Sequence, residues 1–127
     1  MSGGFFDYKQ KDINDIAERI EEEVAKSGKP IPKEEWDYWL IGHPEEAFHR
    51  DYPEEVLRRM EEAIYALKRA AIYAQRVDWL MCDDDGDETF EKRLSEELQK
   101  LDKKSKMGEN GIMYYPVDRN NCHNEDE

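Results

Sequence analysis

The stretch from Tyr73 to Phe90, YAQRVDWLMCDDDGDETF, decides how this chain folds. A run free of Gly and Pro ends at Met81, four Asp residues crowd around Gly86, and a new periodic run starts by Phe90. That order predicts a long helix, a sharp acidic turn and a second helix. Upstream of the turn, Val56, Met60, Ala63, Leu67, Ala70, Ala74, Val77 and Met81 recur as one apolar stripe, widened by Leu57, Ile64 and Ala71. The spacing predicts a central helix over about 53–81. Asp51 and Glu54 offer a capping box, and Pro53 suits a first turn. Glu54–Arg58 and Glu55–Arg59 are i, i+4 pairs in the favourable orientation. The Ala-rich middle lets a neighbouring helix approach, so this helix is expected to be the spine.

The acidic turn invites a metal reading. Aligned on the invariant Gly of a calcium loop, Asp83 and Asp85 take its third and fifth positions, but Met81 and Lys92 stand where its first and twelfth ligands belong. Capping explains the same residues more simply. Gly86 makes the turn, Asp85 caps the next helix, and Glu88 completes a capping box. Asp83 and Asp85 remain only weak metal candidates, and no cofactor is expected.

Working outward, Ile13, Ile16, Ala17, Ile20 and Val24 mark a first helix from about Asp12, ended by Ser27, Gly28 and Pro30. Downstream, Phe90, Leu94, Leu98 and Leu101 mark another, with Lys100, Lys103, Lys104 and Lys106 suiting its negative end. The long connector over 29–52 carries Trp36, Tyr38, Trp39, Phe48 and Tyr52 among several prolines. Pro32 and KEEWDYWLI suggest a short helix of two or three turns, with its rings across the mouth of the helical core or exposed to a partner. After Gly108, IMYYPV (112–117) contains a proline that excludes a central strand; it either docks on the bundle or adds to a partner's edge. The expectation is therefore an all-α, compact three- or four-helix domain over 1–107, with 108–127 an extended segment and disordered acidic tail. Its core should draw on Ile16, Ile20, Val24, Met60, Ile64, Leu67, Ala71, Ala74, Phe90, Leu94 and Leu98.

Composition limits what such a domain does cheaply. The 127 residues carry a formal charge of −13, with 40% of them charged. So acidic a surface repels phosphate backbones, which argues against direct nucleic-acid binding and for a basic partner, imitation of DNA being the extreme case. Nothing approaches the ~20 apolar residues of a membrane span, and no leader peptide is visible. Cys82 and Cys122 occupy dissimilar settings and do not read as a disulfide framework, so the cytoplasm is the expected location.

The opening MSGGFFDYKQ, the middle PEE…AIYALKRAAIYAQRVDWL and the run DDGDETFEKRLSEEL resemble a family of small acidic proteins carried by bacterial, prophage and phage genomes. The likeness covers most of residues 1–101, and YAQR-x-DWL-x3-DDG is its specific part; the tail after Met107 departs from it. The resemblance implies a mobile-element accessory protein and supplies no catalytic residues. By analogy, small acidic proteins of that setting inhibit host defence systems, as anti-CRISPR and DNA-mimic proteins do.

Three function classes compete on these residues. The first is a non-enzymatic binding protein engaging a basic surface on a host nucleic-acid-handling or defence protein. Trp36, Tyr38 and Trp39 would be its anchors, and Glu34, Glu35 and Asp37 its acidic rim. The second is a nucleotide binder or sponge gripping its ligand with Arg69, Tyr73 and Arg76, one stripe at i, i+4 and i+7 that a homodimer would double. Pairing of those arginines with acids of neighbouring helices is the simpler reading. The third is a magnesium-dependent nucleotide pyrophosphohydrolase, which places Glu-Glu-x-x-Glu on one helix and Glu-x-x-Asp on another. Here Glu18, Glu21 and Glu22 run in the wrong order, and Gln75 and Asp78 replace the second motif. His43 and His49, with Cys122 and His123, show no recognised metal spacing. The enzyme is the weakest of the three.

Overall fold

The periodic run ahead of the acidic turn forms one unbroken helix, as its lack of Gly and Pro allows. In a computed structural model, which describes residues 6, 8–83 and 85–118, four helices occur in the order α1 (Gln10–Lys26), α2 (Tyr38–Gly42), α3 (Glu54–Met81) and α4 (Asp87–Lys103). Single 3-10 turns at Lys33–Glu35 and Pro44–Glu46 flank α2. A two-residue hairpin, β1 (Lys106–Met107) with β2 (Met113–Tyr114), follows α4. The chain is thus all-α around a long central helix. Among the described residues no helix is long and apolar enough to cross a membrane.

Both α1 and α4 pack on α3. Gln10 bonds Gln75 while Glu21 pairs with Lys68, so α1 runs antiparallel to α3. Likewise Arg76 meets Glu97 and Tyr65 meets Asp102, which sets α4 antiparallel on the other flank. The core lies chiefly between α1 and α3, where Ala17, Val24, Leu57 and Ile64 are buried. Ile20, Met60, Leu67 and Tyr52 close it, joined by Tyr115 and Val117 from beyond β2.

The buried face of α1 runs through Gln10, Ala17 and Val24, one residue every two turns. Ile16, expected in the core, falls beside that line and is 51% exposed. On α3 the buried line is Leu57, Glu61 and Ile64, which leaves Val56 and Met81 at the exposed edge of the expected stripe. Apolar periodicity located the faces to within one position, but two adjacent apolar residues such as Ile16 and Ala17 cannot both point inward. The smaller one won on α1, where Ala17 is buried in the core with Val24, Leu57 and Ile64.

Several caps differ from expectation. α1 starts at Gln10, ahead of Asp12. Pro53 occupies the N-cap of α3 and no side chain caps it, so Asp51 and Glu54 form no capping box. Arg58 and Arg59 pair with Glu61 and Glu62, three residues on. Gly28 does take the left-handed conformation (φ +73) after α1, and a Cβ there would lie 3.0 Å from Asp51 Oδ1. At the acidic turn the left-handed residue is Asp83 (φ 64) and not Gly86, which is the uncapped N-cap of α4 at φ −85. Asp85 therefore does not cap α4; its carboxylate is engaged elsewhere.

The segment over 112–117 docks on the bundle. Tyr115 N–H donates to the carbonyl of Glu61, and Val117 N–H donates to the Glu61 carboxylate, a buried acid satisfied by this docking. Arg58 lies over the Tyr114 ring at 3.9 Å. The acidic tail from residue 119 onward, with Cys122 and His123, lies outside the described residues, as does Asp84.

Candidate functional site

Residues that look chemically unusual in the sequence collect at the C-terminal end of α3, and there they hold the fold together. Arg76 is 3% exposed; its Nη1 donates to Asp85 Oδ2 at 3.2 Å, and its Nε lies 3.7 Å from Glu97 Oε1. The guanidinium also covers the Trp79 ring at 4.1 Å. Asp85, itself buried, ties the acidic turn back onto α3 in this way. Asp78, also buried, accepts the Phe6 backbone N–H at 3.0 Å, anchoring the chain ahead of α1. Gln75 accepts from Gln10 Nε2. Gln75, Arg76, Asp78 and Asp85 thus join the N-terminal segment, α1, α3, the turn and α4 near the end of α3.

This geometry takes apart the proposed nucleotide stripe. Arg69 Nη2 donates to the Tyr73 hydroxyl at 3.3 Å and the two lie on the outer surface, but Arg76 points into the α3–α4 seam. Of the two guanidinium groups in that stripe only Arg69's reaches the surface; Arg76 is buried and pairs with Asp85 and Glu97. The residues compared with a pyrophosphohydrolase are also engaged separately. Asn14 bonds Glu18, Lys68 pairs with Glu21, and Asp78 holds the Phe6 backbone. Among the described residues no group of three His, Cys, Asp or Glu side chains is placed to hold a metal ion. Asp85 faces a guanidinium, and Asp83 serves the turn through its backbone.

The connector has the opposite character. Its two ends are pinned into a neck: Gly28 N–H donates to Arg50 O, His49 N–H to Lys29 O, and Ile31 N–H to Ala47 O. Pro30 and Phe48 form the bridge pair in the middle, and Ser27 Oγ accepts from Tyr52 N–H below it. Ala47 is buried at this neck. Beyond it, residues 32–46 project as a loop tightened by its own short helices. Asp37 caps α2, accepting from Leu40 N–H at 2.9 Å. Trp36 Nε1 donates to Ile31 O at 2.8 Å, and Lys33 covers its ring.

On this scaffold large apolar side chains are left in solvent. Tyr38 is 93% exposed, Ile41 66%, Trp39 55% and Phe48 55%. The Trp39 ring stacks on His43 at 3.6 Å between centroids, and His43 Nδ1 is 2.9 Å from the Trp39 carbonyl. Glu34, Glu35, Asp37, Glu45 and Glu46 are all exposed around these rings. The two to three turns of helix expected after Pro32 are a 3-10 turn and a five-residue α2, which places Tyr38 and Trp39 on the outer side. Trp36 is half-buried and positions the loop, whereas Tyr38 and Trp39 offer free apolar area. Ile41, on α2 with Tyr38 and Trp39, was missed, and Phe48, read as one of the connector rings, is exposed at the neck; nothing in their spacing distinguishes them from core residues.

One exposed polar cluster shifts titration. The Arg59 hydrogen bond holds the Glu62 carboxyl below the usual carboxylate range, with Asn110 helping against partial desolvation. Desolvation, followed by donation to Asp102 at 2.7 Å, raises the Tyr65 phenol above its ordinary value.

No protein-family description, curated protein or solved structure matches the chain at a significant level.

Proposed function

We propose that this is a non-enzymatic binding protein whose connector loop docks on a basic protein surface. The observation that carries the reading is the exposure of Tyr38, Trp39, Ile41 and Phe48 on a loop pinned at its neck. Isolated exposed apolar residues are ordinary, but three on the five-residue α2, with Phe48 exposed at the neck, leave apolar area that water covers at a cost. Aromatic anchors of this kind supply binding energy when desolvated, and a loop already held in shape loses little further entropy on docking. The acids around the rings, in a chain of net charge −13, favour a cationic partner and speed its approach. The resemblance to phage and prophage proteins makes a host nucleic-acid-handling or defence protein the partner of choice. Tyr38 and Trp39 are the anchors; Trp36 holds the loop, and Glu34, Glu35 and Asp37 form the rim.

Affinity capture from a bacterial host extract, run in parallel with wild type and a Tyr38→Ala/Trp39→Ala variant, tests this. A basic protein retained by wild type, released by raised salt and lost with the variant is the expected result. A captured protein held equally by both, at unchanged melting temperature, would overturn the assignment of the loop.

A further inference from the structure

On the face between α1 and α4, away from the connector, the chain holds a pocket of about 420 Å³. Its floor is α3, where Ala71 and Ile72 leave room, and Leu101 of α4 and the Tyr115 ring complete the apolar lining. Gln10, Asn14 and Gln75 supply amides along the α1 side. The rim carries Lys11, Lys100 and Lys104, with Lys68 also lining the pocket and Glu97 the one acid among the described lining residues. Lys68 is committed to Glu21 at 2.8 Å and to the Tyr115 ring, and Glu97 leans toward Arg76. Among the described residues, Lys11, Lys100 and Lys104 form no ion pair. In a chain with 32 acidic residues against 19 basic ones, unpaired cations gathered around one apolar pocket are a local reversal of the global field.

A second observation points to the same place. Gln10 is 5% exposed and lines the pocket; its Nε2 is bonded to Gln75, but its Oε1 is buried with no hydrogen-bond partner. Buried polar atoms are ordinarily satisfied, so an unmet acceptor in a pocket wall marks where an incoming donor would be held. The volume falls in the range of about 300–1,000 Å³ common for small-molecule sites, which combine an apolar lining with few placed polar groups.

We infer that this pocket binds a small aromatic anion: a flat ring bearing an N–H donor on the apolar floor, with a phosphate or carboxylate held by Lys11, Lys100 and Lys104. The ring replaces water over Ala71, Ile72, Leu101 and Tyr115. The anion makes charge-assisted hydrogen bonds at the rim, and the Gln10 amide presents its unmet acceptor to the ring donor by turning, in exchange for its bond to Gln75. This site is separate from the connector surface and does not depend on it.

The test is a titration of the 15N-labelled full chain followed by amide and side-chain NMR shifts. Adenosine monophosphate and indole-3-acetate present the two sources of negative charge on an N–H-bearing ring; adenosine and inorganic phosphate present ring and charge alone. At least one ring-bearing anion should saturate with a Kd below about 1 mM, moving the Gln10 and Gln75 side-chain amides and Leu101. Adenosine and phosphate should bind about tenfold or more weakly. The Lys100→Glu/Lys104→Glu variant should weaken the ring-bearing anion by about tenfold or more while its spectrum stays folded. Ala71→Leu, which fills the floor, should abolish binding without touching charge. No saturable shift from either ring-bearing anion, shifts confined to residues outside the pocket, or affinity untouched by the lysine reversals would overturn the site.

Discussion

The end of α3 and the connector loop invert the usual relation between chemical character and role. At the end of α3 the residues carry charge, yet Arg76, Asp78 and Asp85 are buried and bonded to one another or to backbone. In the connector the residues are apolar, yet Tyr38, Trp39, Ile41 and Phe48 stand in solvent. Removing one partner of a buried charge leaves the other uncompensated, so the first region is committed to the fold. Exposed apolar area gains nothing in the isolated chain, so the second is available for contact.

The sharpest way to break this contrast is to remove Arg76. Arg76→Ala leaves the buried Asp85 without its partner and should cost ~3–5 kcal/mol of unfolding free energy in urea, the usual worth of a broken buried pair. Asp85→Ala should cost a similar amount, well above the ~1 kcal/mol of a lost helix cap. A loss near the cap value in both would mean that the pair is solvated and the contrast is false.

The converse variant is Tyr38→Ala/Trp39→Ala. Its stability should change by less than ~0.5 kcal/mol per site, as for other exposed positions. Its affinity for a captured partner should fall by ~2 kcal/mol or more, mostly through faster dissociation. Surface plasmon resonance separates the two rates. Charge reversal at Glu34 and Glu35 should instead lower the association rate and flatten its salt dependence.

Within the connector, Asp37→Ala should loosen α2 by ~1 kcal/mol, seen as faster amide exchange at Leu40 and Ile41 while α3 is unaffected. The smallest effect belongs to the exposed end of the α3–α4 seam. Tyr65→Phe removes a bond to Asp102 on a largely solvated surface and should cost under ~1 kcal/mol. Because the folded state raises the Tyr65 phenol pKa, that contribution is fully present below pH 10 and lost as the pH rises through the folded value. Glu62 runs the other way: its carboxyl is held low, so its contribution is present at neutral pH and lost as the pH falls through the folded value. A pH titration of wild type against Tyr65→Phe, converging only above pH 10, checks the first sign.

The helices were legible because period and breakers agree: α3 has no Gly or Pro, and Gly28 and Pro30 close α1. Faces were legible to within one residue, and the choice between Ile16 and Ala17 was not, because it depends on how closely α3 approaches. The role of Asp85 was misread for a related reason. A carboxylate three residues before a Glu at a helix start satisfies the capping pattern, and only the fold brings Arg76, nine residues away, within 3.2 Å. The exposure of Tyr38 and Trp39 follows from the neck between Gly28–Ile31 and Ala47–Arg50, a backbone pairing for which the sequence has no local signal.

The central claim is that contact with a partner falls on the connector while the end of α3 stays a structural joint. Hydrogen–deuterium exchange of the full chain, alone and saturated with its captured partner, tests it most directly. Protection gained over residues 33–48, with the amides of 74–88 unchanged, is the expected result. Protection along α3 and α4 with 33–48 still exchanging freely would contradict it.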